Sequence, residues 1–281
     1  MKTIESKWDA SDGTTFLIQG WEPDNGKPKA IIALIHGLGE HVARYAHVAQ
    51  AFTDAGYALI GFDLRGHGKS GGARGHFPSL DAIMQDIRAF FKFIITRYPE
   101  LPYFLYGHSL GGLITLSYAI QYSTGLKGVI VTGSALRSPL QEQKLKVTMA
   151  KVLGTLAPTV TIPSGLEAAA ISRDPEVVRI YTSDPLVHDK TSLGLGKAAI
   201  NAVDLCFSRA KDFAPPLLIM HGKADRITYP SGSADFASLA REKNRDVTLK
   251  LWDGMYHEIH NEPEKAEVFK FMIEWLDNHL K

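Results

Sequence analysis

The chain has 281 residues, 45% hydrophobic and 22% charged, which are ordinary proportions for a soluble globular protein and enough length for one large α/β domain carrying an insertion. With 31 basic and 30 acidic residues the formal net charge is +1, so charge makes no case for binding nucleic acid or a strongly anionic membrane surface, and attraction to lipid would have to come from local apolar surface. One cysteine, Cys206, excludes an internal disulfide. The polar residues 1–9 lack the apolar core of a secretory signal, and apolar runs such as 30–35 fall far short of the about 20 residues that cross a bilayer, so the expected location is the cytoplasm.

Asp12-Gly13-Thr14-Thr15 separates two stretches of alternating apolar and polar residues and predicts an antiparallel hairpin. Short, nearly continuous apolar runs then follow at 30–35, 57–62, 103–106, 128–131, 217–220 and 247–251. Runs apolar on both faces are the mark of strands in a parallel sheet covered by helices. Between them the spacing predicts helices over 42–55, ended by Gly56, and over 79–98, with Ser79 as N-cap and Pro99 as its stop. A further helical pattern covers 113–120, and an amphipathic one over 264–280 closes the chain. Alternation of strand and helix predicts a mostly parallel central sheet with an N-terminal antiparallel hairpin and helices on both faces.

The alternation breaks between residues 136 and 214, where no clear strand is visible. Prolines at 139, 158, 163, 175 and 185 divide the segment into short helical pieces, the first of them rich in Leu140, Leu145, Val147, Met149, Val152, Leu153 and Leu156. The expected organisation is a core of residues 1–135 and 215–281 with a helical cap, or lid, of 136–214 inserted after the sixth strand.

Gly107-His108-Ser109-Leu110-Gly111 follows one apolar run and precedes a helical pattern, which is the context of a nucleophile elbow. Glycines flanking the serine remove the Cβ atoms that would clash in so tight a strand-to-helix turn. A serine hydroxyl needs a base, and the order in this arrangement is serine, acid, histidine. Asp225 ends the run 217–220 through His221-Gly222-Lys223-Ala224, and His257 follows the last run through Trp252-Asp253-Gly254-Met255-Tyr256. His260 is the alternative base. Asp63 and the turn Arg65-Gly66-His67-Gly68-Lys69-Ser70 read as structural. The backbone amide of Leu110, and that of Leu38 in the loop His36-Gly37-Leu38-Gly39-Glu40, are the expected donors to an oxyanion, with His36 read as a buried residue that fixes that loop. Together these predict the α/β-hydrolase fold. Neither clustered metal-ligand spacing nor a dinucleotide fingerprint is present, so no cofactor is expected.

His36-Gly37-Leu38-Gly39-Glu40-His41 with Arg44-Tyr45, Asp63-Leu64-Arg65-Gly66-His67-Gly68-Lys69-Ser70, Gly107-His108-Ser109-Leu110-Gly111-Gly112, Ser183-Asp184-Pro185-Leu186 and Gly222-Lys223-Ala224-Asp225 resemble the monoacylglycerol lipase (monoglyceride lipase and lysophospholipase-like) family over nearly the whole chain. The resemblance implies hydrolysis of monoacylglycerols or similar single-acyl lipid esters by a soluble or peripherally bound enzyme with a mobile helical cap that touches lipid transiently. It also implies that Glu40, Arg44 and His260 lie near the alcohol headgroup, although Glu40 and Arg44 equally suit a brace for the oxyanion loop. A short-chain carboxylesterase, an amide-cleaving relative and a non-catalytic ligand receptor remain alternatives.

Overall fold

The computed structural model describes residues 1–139 and 143–280; Leu140 lies outside them. Each of the six apolar runs is a strand. In chain order the hairpin strands are β1 (Lys2–Asp9) and β2 (Thr15–Glu22), followed by β3 (Ile31–Ile35), β4 (Ala58–Phe62), β5 (Tyr103–His108) and β6 (Leu126–Thr132). The last two strands of the main sheet are β9 (Leu217–Gly222) and β10 (Val247–Trp252). They form one eight-stranded sheet in the order β1-β2-β4-β3-β5-β6-β9-β10. β2 runs antiparallel to both β1 and β4, and every other pairing is parallel.

The pleat sorts the apolar side chains onto two faces. Ile31, Ala33 and Ile35 of β3 point into one core with α2 (Leu80–Arg97), α3 (Leu110–Gln121), α6 (Leu193–Arg209) and α7 (Pro230–Arg241). Ile32 and Leu34 point into the other, beneath α1 (Ala46–Asp54) and α8 (Lys265–Leu280). β3 and β4 are buried at every residue, which is why they read as unbroken apolar runs. Ser79 caps α2 as expected, accepting the Ala82 amide at 3.1 Å. The expected helix over 42–55 is a 3-10 turn, Val42–Tyr45, leading into α1.

Three features differ from the sequence reading. The segment between β6 and β9 carries a two-stranded antiparallel ribbon, β7 (Thr161–Pro163) with β8 (Lys190–Ser192), alongside α4 (Lys144–Leu156) and α5 (Pro175–Ser183). Strands of three residues, paired across some thirty positions, leave no periodic trace. α6 in the same segment runs 17 residues, since no proline falls within it. α7 also went unread. Its Pro230-Ser231-Gly232-Ser233 opening has weak helix propensity, but Gly232, Ser233, Phe236, Ala237 and Ala240 are buried, and packing overrides propensity. Among the described residues, no helix is long and apolar enough to cross a membrane.

The topology sets the position of the site. From β3 the chain moves first to β4 on one side and then to β5 on the other, so β3 and β5 are neighbours whose crossovers leave in opposite directions. Ligands of open α/β sheets bind in the crevice outside the carboxyl ends of strands at such a switch point. The loops leaving β3 and β5 hold the sequence-predicted oxyanion loop and nucleophile.

Ile32 is fully buried between β4, β5 and the α1/α8 layer. Truncating it to alanine is expected to cost about 2–5 kcal/mol, read as a lower urea midpoint. An unchanged midpoint would contradict a two-sided core around β3.

Candidate active site

Ser109 stands between β5 and α3 with φ +55 and ψ −120, the one non-glycine residue with positive φ among those described. Such a backbone is costly, on the order of 1–3 kcal/mol, and persists only where the surroundings over-determine it. Here they do. The Ser109 amide donates to Thr132 O at 2.9 Å, and its carbonyl accepts from Ala135 N at 3.1 Å and from Leu113 N at 3.1 Å. A Cβ on Gly107 would drive into Thr115 Oγ1 and the Gly111 carbonyl, and one on Gly111 into the Ile35 and His36 carbonyls. The two glycines are therefore demanded by close approach of backbone to backbone. α3 is buried from Leu110 to Ile120, so its N-terminus is held rigidly behind the hydroxyl.

Ser109 Oγ lies 2.8 Å from His257 Nε2, and His257 Nδ1 lies 2.7 Å from Asp225 Oδ2. Asp225 follows β9, and His257 follows β10 through a short loop. The carboxylate can only accept, so His257 holds its proton on Nδ1 and presents Nε2 as acceptor to the serine hydroxyl. Asp225 Oδ1 takes the Ile227 amide at 2.8 Å and the Thr228 amide at 3.0 Å. Its Oδ2 also lies 2.9 Å from His221 Nε2 and 2.9 Å from Thr228 Oγ1. His221 Nδ1 is in turn 2.8 Å from Ser233 Oγ. The acid is thus oriented from four directions, and the imidazole with it.

The rings of His108, His257 and His260 form one cluster beside the serine's loop, and their environments separate them. Burial alone would lower the pKa of His257, but the charge and hydrogen bond of Asp225 outweigh it and hold the pKa above 6.5, with Glu258 and Glu40 adding in the same sense. Burial likewise favours the neutral acid at Asp225, yet His257 and His221 hold its carboxyl well below the usual carboxylate range. His108 and His260, whose rings pack 4.7 Å apart, have no carboxylate bonded to them, and burial pushes His108 far down and His260 to about 3. Of the three, only His257 is poised to take a proton. His260, the alternative base, instead packs its ring 5.0 Å from Tyr45 and accepts from His47 Nε2 through its carbonyl at 2.9 Å.

Leu38 and Leu110, the expected oxyanion donors, line the same cavity as Ser109. Leu110 opens α3, where the first amides have no partner within the helix. The cavity encloses about 420 Å³ and is walled by Leu110, Ala135, Leu166, Leu195, Ala199 and Ile200 among others. Ser109, Leu38 and Leu166 also border a second recess of about 10 Å³, scarcely the space of one water, between Gly37, Glu40, Tyr181, His257 and Glu258. His36 holds the oxyanion loop from beneath: its Nε2 accepts the Leu64 amide at 2.9 Å, and its Nδ1 lies 2.8 Å from Gly37 O. Asp63 accepts the Val42 amide at 2.9 Å and the Lys69 amide at 2.8 Å, tying two loops together.

Glu40 faces the small recess, while Arg44 and His260 stand in the layer behind it. Glu40 Oε1 accepts the Gly37 amide at 2.6 Å and the Tyr45 hydroxyl at 2.7 Å, and its Oε2 takes Arg44 at 2.6 Å. Sequence reasoning missed Glu258, Thr228 and Tyr181 and the part played by His221. Position beside a motif is a usable signal for Glu258, which directly follows His257, and for Thr228, three residues past Asp225. His221 and Tyr181 reach the site only through the fold. Among the described residues, no group of three or more His, Cys, Asp or Glu side chains could hold a metal ion.

A family model described as "Serine aminopeptidase, S33" matches residues 26–264. A monoacylglycerol lipase of Mycolicibacterium smegmatis is 38% identical over 95% of this chain and 95% of its own length. An abhydrolase domain-containing protein of Dictyostelium discoideum is also 38% identical over 96% of this chain, which spans 28% of that longer protein. The solved monoacylglycerol lipase of Paleococcus ferrophilus superposes with a TM-score of 0.83 at 35% identity, covering 99% of this chain and 100% of that one.

Two outcomes follow from the geometry. Because the base must be neutral and its pKa is raised, the acid limb of kcat/KM should have its midpoint above pH 6.5; a midpoint at or below that value would contradict the assignment of His257. Replacing Asp225 with asparagine removes the interaction that raises it and frees the wrong tautomer, so kcat should fall by about 10⁴ and the limb should move to lower pH. A loss of under tenfold would rule Asp225 out as the orienting acid.

Proposed function

The chain belongs to the serine aminopeptidase S33 family, in which it stands beside monoacylglycerol lipases as a carboxylic ester hydrolase, and on that premise we propose that it cleaves monoacylglycerols or similar single-acyl lipid esters. In this reading Ser109 is the nucleophile, His257 the general base and acid, and Asp225 the orienting acid. Ser109 Oγ attacks the ester carbonyl carbon as its proton passes to His257 Nε2. The amides of Leu38 and Leu110 receive the negative oxygen. The tetrahedral adduct collapses, the alcohol leaves with the proton from His257, and a water activated by the same imidazole hydrolyses the acyl-enzyme.

One observation carries the substrate class: the 2.8 Å Ser109–His257 contact lies at the wall of a mostly apolar cavity of about 420 Å³. A single acyl chain suits that cavity, while the adjoining recess, with space for scarcely one water, brings the Glu40 carboxylate beside Ser109 and His257. We assign Glu40 to the alcohol side of the ester, with Arg44 and His260 supporting it from behind. We take residues 136–214 as the cap. The exposed Leu145, Met149, Val152, Leu153 and Leu156 on α4 give this segment an apolar face suited to transient contact with a lipid surface, the source of its substrate. The single buried cysteine, Cys206, accords with a cytoplasmic setting.

The test is a set of monoacylglycerols of graded acyl length, with diacyl and triacyl glycerols in parallel, assayed with the wild type and with Ser109→Ala. Turnover is expected on the monoacyl esters and is expected to fall by about 10⁶ in the variant. A rate maximum at the shortest esters would reduce the protein to a short-chain esterase, and substantial turnover by Ser109→Ala would remove the proposed nucleophile.

A further inference from the structure

We propose that Glu258 is a positioning residue for this reaction: by clamping Arg44 it joins the loop that carries the base to the loop that carries an oxyanion donor, so that the two halves of the machinery keep their mutual geometry. The proposal rests on the reading of Ser109, His257 and Leu38 given above.

The connection can be followed atom by atom. Arg44 Nη1 and Nη2 donate to Glu258 Oε1 and Oε2, each at 2.8 Å, the parallel two-point geometry that fixes direction as well as distance. Arg44 Nη1 also donates to Glu40 Oε2 at 2.6 Å, and Glu40 Oε1 accepts the amide of Gly37, the residue before Leu38. At the other end, Glu258 is the residue after His257. A continuous chain therefore runs from the Gly37–Leu38 peptide through Glu40, Arg44 and Glu258 to His257.

Each link is buried, with side-chain exposures of 3% for Glu40, 8% for Arg44 and 4% for Glu258. The two carboxylates are not equivalent. Burial would raise both; Arg44 outweighs it at Glu258 and holds that group near 2, whereas at Glu40 burial prevails over Arg44 and the group is raised. Asn261 Nδ2 donates to Glu258 Oε2 at 2.7 Å and fixes the remaining freedom of the carboxylate. The inserted segment seals the unit. The Glu258 amide donates to Ile171 O at 2.7 Å, and the Tyr181 ring lies 4.7 Å from the guanidinium on its outer side. Arg44 is thus held by two carboxylates and an aromatic face.

A buried pair whose only role is to satisfy itself can be exchanged for apolar residues of similar volume with little loss. A clamp cannot, and this separates the two roles. Glu258→Gln keeps the size of the side chain and one acceptor but gives up the two-point bond. Expected is a drop in kcat of about 10- to 100-fold, the scale of a 1 Å misplacement, with KM within about threefold of wild type. The double variant Arg44→Met/Glu258→Met removes the two-point pair together, leaves Glu40 bonded to the Gly37 amide and the Tyr45 hydroxyl, and should show the same fall in kcat while retaining a cooperative thermal transition. Should Glu258→Gln fail to fold, the double variant alone decides. A kcat within twofold of wild type in either variant overturns the proposal, because Glu258 would then do no more than neutralise Arg44. Ser109→Ala, assayed alongside on the same monoacylglycerol and on a 4-nitrophenyl ester, separates the two readings. Its inactivity together with an unchanged Glu258→Gln overturns the clamp alone, whereas its continued turnover overturns the nucleophile assignment and the clamp with it.

Discussion

The backbone at Ser109 is the constraint on which the remaining structure depends. A φ of +55 at a residue with a side chain is unfavourable, and it is held by a ring of ordinary features: the end of a strand buried from Phe104 onward, the first turn of a helix buried from Leu110 to Ile120, the Thr132 carbonyl, and two glycines where any Cβ would strike backbone or a threonine hydroxyl. The serine hydroxyl stands where it does because the chain cannot relax there. The central place of β5 between β3 and β6 and the near-complete burial of α3 serve the same end, since a helix free to shift would release the strain.

Around this rigid point the protein assembles an unusual density of buried polar groups. His36, Glu40, His108, Asp225, His257, Glu258 and His260 are all nearly inaccessible. Polar groups in such surroundings are costly unless bonded, and charged ones more so. The structure meets this cost by pairing: Asp225 with two histidines and two backbone amides, and Arg44 with two carboxylates. The pairing also differentiates chemically identical side chains. Of three histidines within one cluster, the one that touches a carboxylate is driven up and the two that do not are driven down.

The inserted segment is built by different rules. Its helix α4 exposes leucines, methionine and valine, whereas α6 packs into the core beside α2, α3 and α7, and three of the segment's bonds reach the loops around the serine: His188 N to Gly39 O at 2.9 Å, His41 to Asp184 at 2.9 Å, and the Glu258 amide to the Ile171 carbonyl. Those contacts fall on the oxyanion loop and on the loop of the base. The segment that lines the cavity therefore rests on the same two loops that border the serine.

Much of this was legible in the residues. The six apolar runs are strands because both faces of a helix-covered parallel strand must be apolar, and Gly107-His108-Ser109-Leu110-Gly111 between a strand pattern and a helix pattern marks an elbow because only glycine tolerates such close backbone approach. The order of serine, aspartate and histidine, each at the end of a strand, followed from the same logic. The sequence could not reveal α7, whose small polar residues are helical only because they are buried, nor the β7–β8 ribbon, whose partners are distant in the chain. Neither could it show that His221 shares the Asp225 carboxylate or that Glu258 grips Arg44. Local pattern determines which segments form strands, helices and turns, because those depend on periodicity and backbone freedom. Which polar groups bond to one another across 214 positions, as Arg44 and Glu258 do, is decided only by the tertiary fold, because a hydrogen bond requires a distance and a direction that sequence separation does not encode.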